Sequence, residues 1–210
     1  MIRRDYLLRL VDQAVRLLYA LVGMVDLRRY PEALQLLNDG YRQFFGMDSD
    51  TIIRLPLSYL REQLGNDAEG TRIMAGLLEA EGDVLLLMEQ ETAAVARWER
   101  GITLLLEAEQ EGWLIILPEL PTTIDSLARR LRPYTLSVEL TAALFRYYAN
   151  TTSFSQAENY LWEWLDTGNG DIEAGKRFYE RLRGVEDEIL EAGGLTREEV
   201  EAGYAGLVEK

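Results

Sequence analysis

The chain contains no cysteine and no histidine, and two lysines among its 210 residues. Without cysteine there is no disulfide, no thiolate nucleophile and no sulfur ligand for zinc. Without histidine there is no imidazole base and no imidazole ligand for haem or zinc. Lys176 is the one internal lysine, and no glycine-rich loop precedes it, so a phosphate-cradling P-loop is excluded. Basic side chains are scarce in general: 22 stand against 36 acidic ones, a net charge of −14. That balance opposes nucleic acid, a polyanion bound through released counterions. Long apolar runs are missing as well. Leu17 to Val25 falls far short of the roughly 18 residues a membrane span needs. Arg3-Arg4 looks superficially like a twin-arginine export signal, but Arg9, Asp12 and Arg16 interrupt the apolar stretch that such a signal requires, and no small-residue cleavage site appears. The expectation is a cytoplasmic protein without a membrane partner.

What remains is a chain that is 48% apolar and long enough to bury about 70% of its unfolded surface, read as a single domain over residues 1–210. The acidic surplus is local: residues 61–128 hold 14 acids and 4 bases, residues 171–210 hold 11 and 6. Such blocks read as solvated helix faces, or as a surface that attracts a basic partner.

The apolar spacing is helical almost throughout, and period-two alternation is nowhere sustained, which predicts an all-α fold. Leu7, Leu10, Ala14, Leu17 and Leu21 form the stripe of a first helix, and Tyr30-Pro31 opens a second that ends at Gly46, giving a hairpin over about 2–46. Residues 48–66 read as short helices broken at Pro56 and closed at Gly65-Asn66. A second hairpin is expected over 68–110 and a third over 137–167, the latter with a Ser153/Gln156 capping box. Residues 112–134, punctuated by Pro118, Pro121 and Pro133, form an irregular insert with one short helix at Ile124 to Leu131. Trp113 to Leu117 reads as a helix end or a buried extended segment. A helix over 171–192 ends at Gly193-Gly194, and Thr196 with Glu199 then caps a last helix, 196–207, with Leu195 and Val200 in staple positions.

One pattern recurs where second helices begin: an aromatic or acidic residue, alanine three later, a large apolar residue four beyond. It occurs at Tyr30/Ala33/Leu37, Glu91/Ala94/Trp98, Phe154/Ala157/Leu161 and Asp171/Ala174/Phe178. A small residue lets two helices approach while the large one fills the groove beside it. The alanines are not evenly spaced, so stacked hairpins with insertions are expected instead of a regular solenoid. This pattern resembles the tetratricopeptide repeat, best in the second hairpin, where Leu78, Gly82, Leu85, Ala94, Trp98 and Gly101 fall at the matching positions while Glu81 and Leu106 depart from it. Residues 1–110, with Ile2-Arg3-Arg4-Asp5-Tyr6-Leu7, Tyr30-x-x-Ala33-x-x-x-Leu37 and Gly46-Met47-Asp48, look like an uncharacterised bacterial family of tetratricopeptide-like proteins with no assigned activity.

The resemblance implies a tetratricopeptide-like superhelix that binds a protein or peptide in a groove lined by first helices. Carried onto this chain, the groove positions are Gly76, Glu79, Asp83 and Leu86 in the second hairpin and Glu139, Ala142, Arg146 and Ala149 in the third. Glu79 and Asp83, four residues apart on one helix face, suit an arginine or lysine from a partner. Seven aromatics crowd residues 145–164. Trp162 falls about 160° from Trp164 on its helix, so it packs against the helix starting at Asp171 or anchors an interface. Spacing selects no catalytic carboxylate pair, and Asp166 to Asp171 lacks the final glutamate of a calcium loop, so neither catalysis, a cofactor nor a metal is expected. The reading is a non-enzymatic protein-interaction or scaffold module whose partner is a protein or peptide, favourably a basic one. The alternative is a sensor with a small-molecule or peptide pocket near the aromatic-rich third hairpin. Homo-oligomerisation through apolar surface is compatible with either.

Overall fold

The computed structural model describes residues 2–65, 67–115 and 117–208, with side-chain surroundings from residue 9 onward. Twelve helices and no strand occur among the described residues. Contacts gather the chain into two compact units, Met1–Thr135 and Leu136–Lys210.

The first unit opens with the expected hairpin, α1 (Ile2–Asp26) and α2 (Tyr30–Phe45). Pro31 sits in the first turn of α2, and Gly46 ends it in the left-handed region at φ 68°, donating its N–H to Arg42 O. Two short helices come next, α3 (Ser49–Arg54) and α4 (Leu57–Leu64), separated at Pro56 as the sequence predicts. Gly65 closes α4 with φ 55°; Asn66 lies outside the described residues. The second hairpin is α5 (Ala68–Leu87) and α6 (Glu91–Gln110), and α7 (Ile124–Leu131) lies against α6. Of the stretch 113–117, the described residues form no regular element, and Ile116 lies outside them.

The centre of this unit is α5. It packs on α1, α2 and α6, and fifteen of its side chains or glycines are buried. The small/large logic read from sequence holds in space. A methyl group added at Gly82 would sit 2.6 Å from Trp98 Cδ1, and one at Gly101 would lie 3.5 Å from Leu78 Cβ and from Ala75 O. The glycines are where α5 and α6 touch, and Trp98, 1% exposed, fills the groove beside them.

The second unit pairs α8 (Val138–Ala149) with α9 (Phe154–Asp166), and α10 (Ile172–Arg183) with α12 (Arg197–Val208), with α11 (Asp187–Ala192) between the last two. Phe145 of α8 packs edge-on to Phe178 of α10 at 5.7 Å, and Gly175 lets Leu161 and Leu207 close around α10.

The structure corrects two sequence expectations. The helix expected over 171–192 is broken into α10 and α11 at Gly184 to Glu186. At the break the Arg197 guanidinium donates to the carbonyls of Leu182 (3.3 Å), Arg183 (2.9 Å) and Val185. A cation thus caps the freed carbonyls at the C-terminus of α10. The Ser153/Gln156 capping box does not form, because Ser153 makes no side-chain cap bond; instead Ser155 N donates to Gly193 O at 3.0 Å, so the end of α11 satisfies the start of α9. The second capping box is present: Thr196 N donates to Glu199 Oε2 (2.7 Å), Glu199 N to Thr196 Oγ1 (3.2 Å), and the staple residues Leu195 and Val200 are buried.

Candidate functional site

Arg72, Gly76, Glu79 and Asp83 succeed one another on α5 at steps of four, three and four, so they share one helix face. Thr122 and Leu18 lie 3.4 and 3.8 Å from where a Gly76 Cβ would stand, which places the insert and α1 against this face. Glu79 and Asp83 therefore do not front an open channel. The arginine expected from a partner is supplied within the chain, by Arg130 of α7. Its Nε and Nη2 donate to the two oxygens of Asp83, each at 2.6 Å, and its Nη1 lies 2.6 Å from Glu79 Oε1. Trp98 Nε1 donates to Glu79 O and to Asp83 Oδ1, both at 3.2 Å, and holds the receiving carboxylate in place. The paired carboxylate of Asp83 pushes the Arg130 pKa above its ordinary range despite burial. This is a fork-on-fork guanidinium receptor, the geometry in which arginine is bound most selectively. Leu86 lies beyond it, 41% exposed at the end of α5.

On another face of α5 a second buried acid has no counterpart in the sequence reading. Glu81, 5% exposed, accepts from Tyr41 Oη (2.9 Å) and Ser49 Oγ (2.5 Å), with Arg97 Nε at 3.1 Å. Burial, then the Glu81 charge, raises the Tyr41 pKa well above 10.0, so the phenol stays a donor. These contacts tie α2, α3, α5 and α6 together. The only sequence signal is Glu81 itself, an acid where the repeat pattern wants an apolar residue.

A cleft of about 230 Å³ opens elsewhere in the first unit, lined by Phe44, Phe45, Met47, Leu60, Leu64 and Met74 among others. The sensor alternative expects its pocket beside the third hairpin; this cleft lies instead among α1, α2, α4 and α5.

In the second unit Glu139 and Arg146 are exposed on α8, and Ala142 is buried. Arg146 stands over the Trp164 ring at 5.8 Å. Trp162 is half-buried and turned toward α10, where its Nε1 donates to Tyr179 Oη at 3.0 Å; its ring also reaches Gly206 of α12. Tyr179 Oη in turn donates to Glu158 Oε1 at 2.6 Å. Burial raises the Glu158 pKa above 4.5, the Tyr179 bond opposes that shift, and Glu199 adds to it. A carboxyl that holds its proton more tightly when folded contributes most stability below its unfolded pKa and loses it as pH rises toward the folded one. Glu158→Gln keeps an acceptor for Tyr179 and carries no charge. Its stability relative to the parent chain is therefore expected to improve as pH rises from about 4.5, measured by urea midpoints across pH. A constant difference at all pH values would refute the assignment.

Among the described residues no group of three or more acids is placed to hold a metal ion, and no helix is long and apolar enough to cross a membrane. What the geometry defines is an all-helical protein of packed hairpins whose helix α5 pairs Glu79 and Asp83 with Arg130 of α7. A profile described as "Family of unknown function (DUF6483)" matches residues 1–210, and the chain belongs to that family. The match extends past residue 110, where the sequence resemblance stops. Searches of curated proteins and of solved structures returned no match.

Proposed function

We propose that this chain is a non-enzymatic, cytoplasmic interaction module, a tetratricopeptide-like stack of hairpins that grips an arginine-bearing segment of a partner protein on the α5 face. One observation carries the reading: Asp83 and Glu79 hold a guanidinium in bidentate geometry, with Trp98 orienting the acceptor. The present occupant is the chain's own α7, packed on α6 and reaching α5 through Arg130, with Ile124, Leu127, Ala128 and Leu131 buried. The net charge of −14 favours a basic partner and disfavours nucleic acid and acidic membrane surfaces.

The test is a labelled peptide with the sequence of residues 121–135, titrated against the full chain and its Arg130→Ala variant by fluorescence anisotropy. The peptide is expected to bind the variant about tenfold or more tightly than the parent, because one charge-assisted bond is worth about 1.5–3 kcal/mol. A peptide with alanine in place of its arginine is expected to lose that binding. If neither chain binds it at millimolar peptide, the face is a fixed part of the core and the proposal fails.

A second reading rests on the apolar cleft among α1, α2, α4 and α5, which has room for a small ligand. It is favoured if no peptide binds and small neutral molecules raise the unfolding temperature.

A further inference from the structure

Helix α1 uses its two sides differently. Val11, Ala14 and Leu21 are buried where it packs on α2 and α5. Asp12, Arg16, Tyr19, Gly23 and Asp26 succeed one another at steps of four, three, four and three, so they share a second face, and all five are exposed. Val22 and Leu27 flank this stripe, Leu27 being held in the helical turn by its N–H, which donates to Gly23 O at 3.3 Å. Tyr19 is 75% exposed, Leu27 70% and Val22 58%, which gathers open apolar surface on one side of a single element.

Gly23 lies in the middle of this surface. Glycine is a poor residue for a helix interior, and its use there is to let another element come close. Each other glycine inside a helix among the described residues has an atom within 4 Å of where a Cβ would stand; Gly23 has none. The charges indicate what fits against it. Arg16 lies at one end of the apolar patch and Asp26 at the other, both exposed. A copy of the same face laid antiparallel brings Asp26 to Arg16 and Arg16 to Asp26, the self-complementarity that an isologous contact requires. A uniformly basic or acidic partner would match one end and oppose the other. Arg16 already lies 2.8 Å from Asp12, but that exposed pair is weak and the guanidinium has donors to spare.

We propose that the outer face of α1 is the surface through which two copies of this chain associate, packed antiparallel about a twofold axis level with residue 21. At a rise of about 1.5 Å per residue, Tyr19 and Gly23 stand about 3 Å on either side of that level, and Arg16 and Asp26 about 7.5 Å. Tyr19 then fills the gap over Gly23 of the partner subunit, Val22 meets Ala20 of the partner subunit, and Arg16 pairs with Asp26 of the partner subunit. Each contact occurs twice. This inference is independent of the arginine grip at Asp83, since it uses a different helix, a different partner and a different test.

The experiment is sedimentation equilibrium of the full chain from about 1 μM to about 1 mM, the range in which modest interfaces form. The mass is expected to rise from the 24.0 kDa of one chain toward twice that value. Tyr19→Glu and Gly23→Gln are each expected to weaken association at least about tenfold. Both positions are open to solvent within the chain, so neither variant is expected to lower the unfolding temperature of the dilute protein, and Gly23→Gln is expected to raise it. Arg16→Asp and Asp26→Arg are each expected to weaken association when alone. An equimolar mixture of those two variants is expected to associate as the parent does, because every facing pair is again of opposite sign. Phosphatidylglycerol vesicles serve as the lipid control. A mass of one chain throughout, dimers that Tyr19→Glu leaves intact, a mixture no better associated than its components, or attachment to the vesicles without self-association would each overturn the proposal.

Discussion

Glu81→Leu is expected to destabilise the first unit by about 3–5 kcal/mol, the cost of removing one partner from a buried ion pair. The substitution leaves Arg97 enclosed, with the distant and exposed Asp50 at 3.8 Å as its remaining acid. It also strips the acceptor from the Tyr41 and Ser49 hydroxyls, both within buried contacts. The loss is read by hydrogen exchange of the α5 amides, which reports on this unit alone. Tyr41→Phe removes one bond to a charged acceptor and is expected to cost about 1.5–3 kcal/mol. The double variant Glu81→Leu with Arg97→Met removes both charges and is expected to recover most of the loss, because the pair stabilises little relative to apolar residues of similar volume. Unchanged exchange in Glu81→Leu would mean that the network is ornamental.

Trp98→Ala is expected to cost about 3–5 kcal/mol, as truncation of a fully buried aromatic does. The indole fills the groove beside Gly82, meets Tyr134 at 6.2 Å between centroids, and donates to the receptor carboxylate Asp83. Gly82→Ala alone is expected to cost about 1–3 kcal/mol, since the added methyl collides with the indole and outweighs the gain in helix propensity. In the Trp98→Ala background the collision is gone. There Gly82→Ala is expected to stabilise the protein, by up to about 1 kcal/mol. The sign reversal, measured in urea unfolding, is what close helix contact requires and what a purely propensity-based account forbids.

How far the sequence reaches is plain at these two sites. Gly82 and Trp98 are legible because the small/large spacing that packs two helices is local to one hairpin. Glu81 is legible only as a misfit, since its partners Tyr41, Ser49 and Arg97 lie 40, 32 and 16 positions away in three other helices. The spacing of four makes Glu79 and Asp83 readable as a pair suited to an arginine or lysine, and the repeat resemblance implies that a partner brings it. That the arginine is Arg130 is not legible, because the insert carrying it has no period that fixes where it lands. The break between α10 and α11 escapes the sequence for the same reason: Arg197, which caps it, stands fourteen residues past Arg183.

The sequence by itself determined the all-helical class, the helix ends at Pro31, Gly46 and Thr196, the absence of Cys and His chemistry, and the hairpin contact of α5 with α6, since each depends on residues within a turn or two, on spacing within one hairpin or on composition. Only the tertiary structure decided which charges became counterparts, as Arg130 did for Asp83 and Arg97 for Glu81, because a buried charge is settled by whatever long-range packing brings beside it.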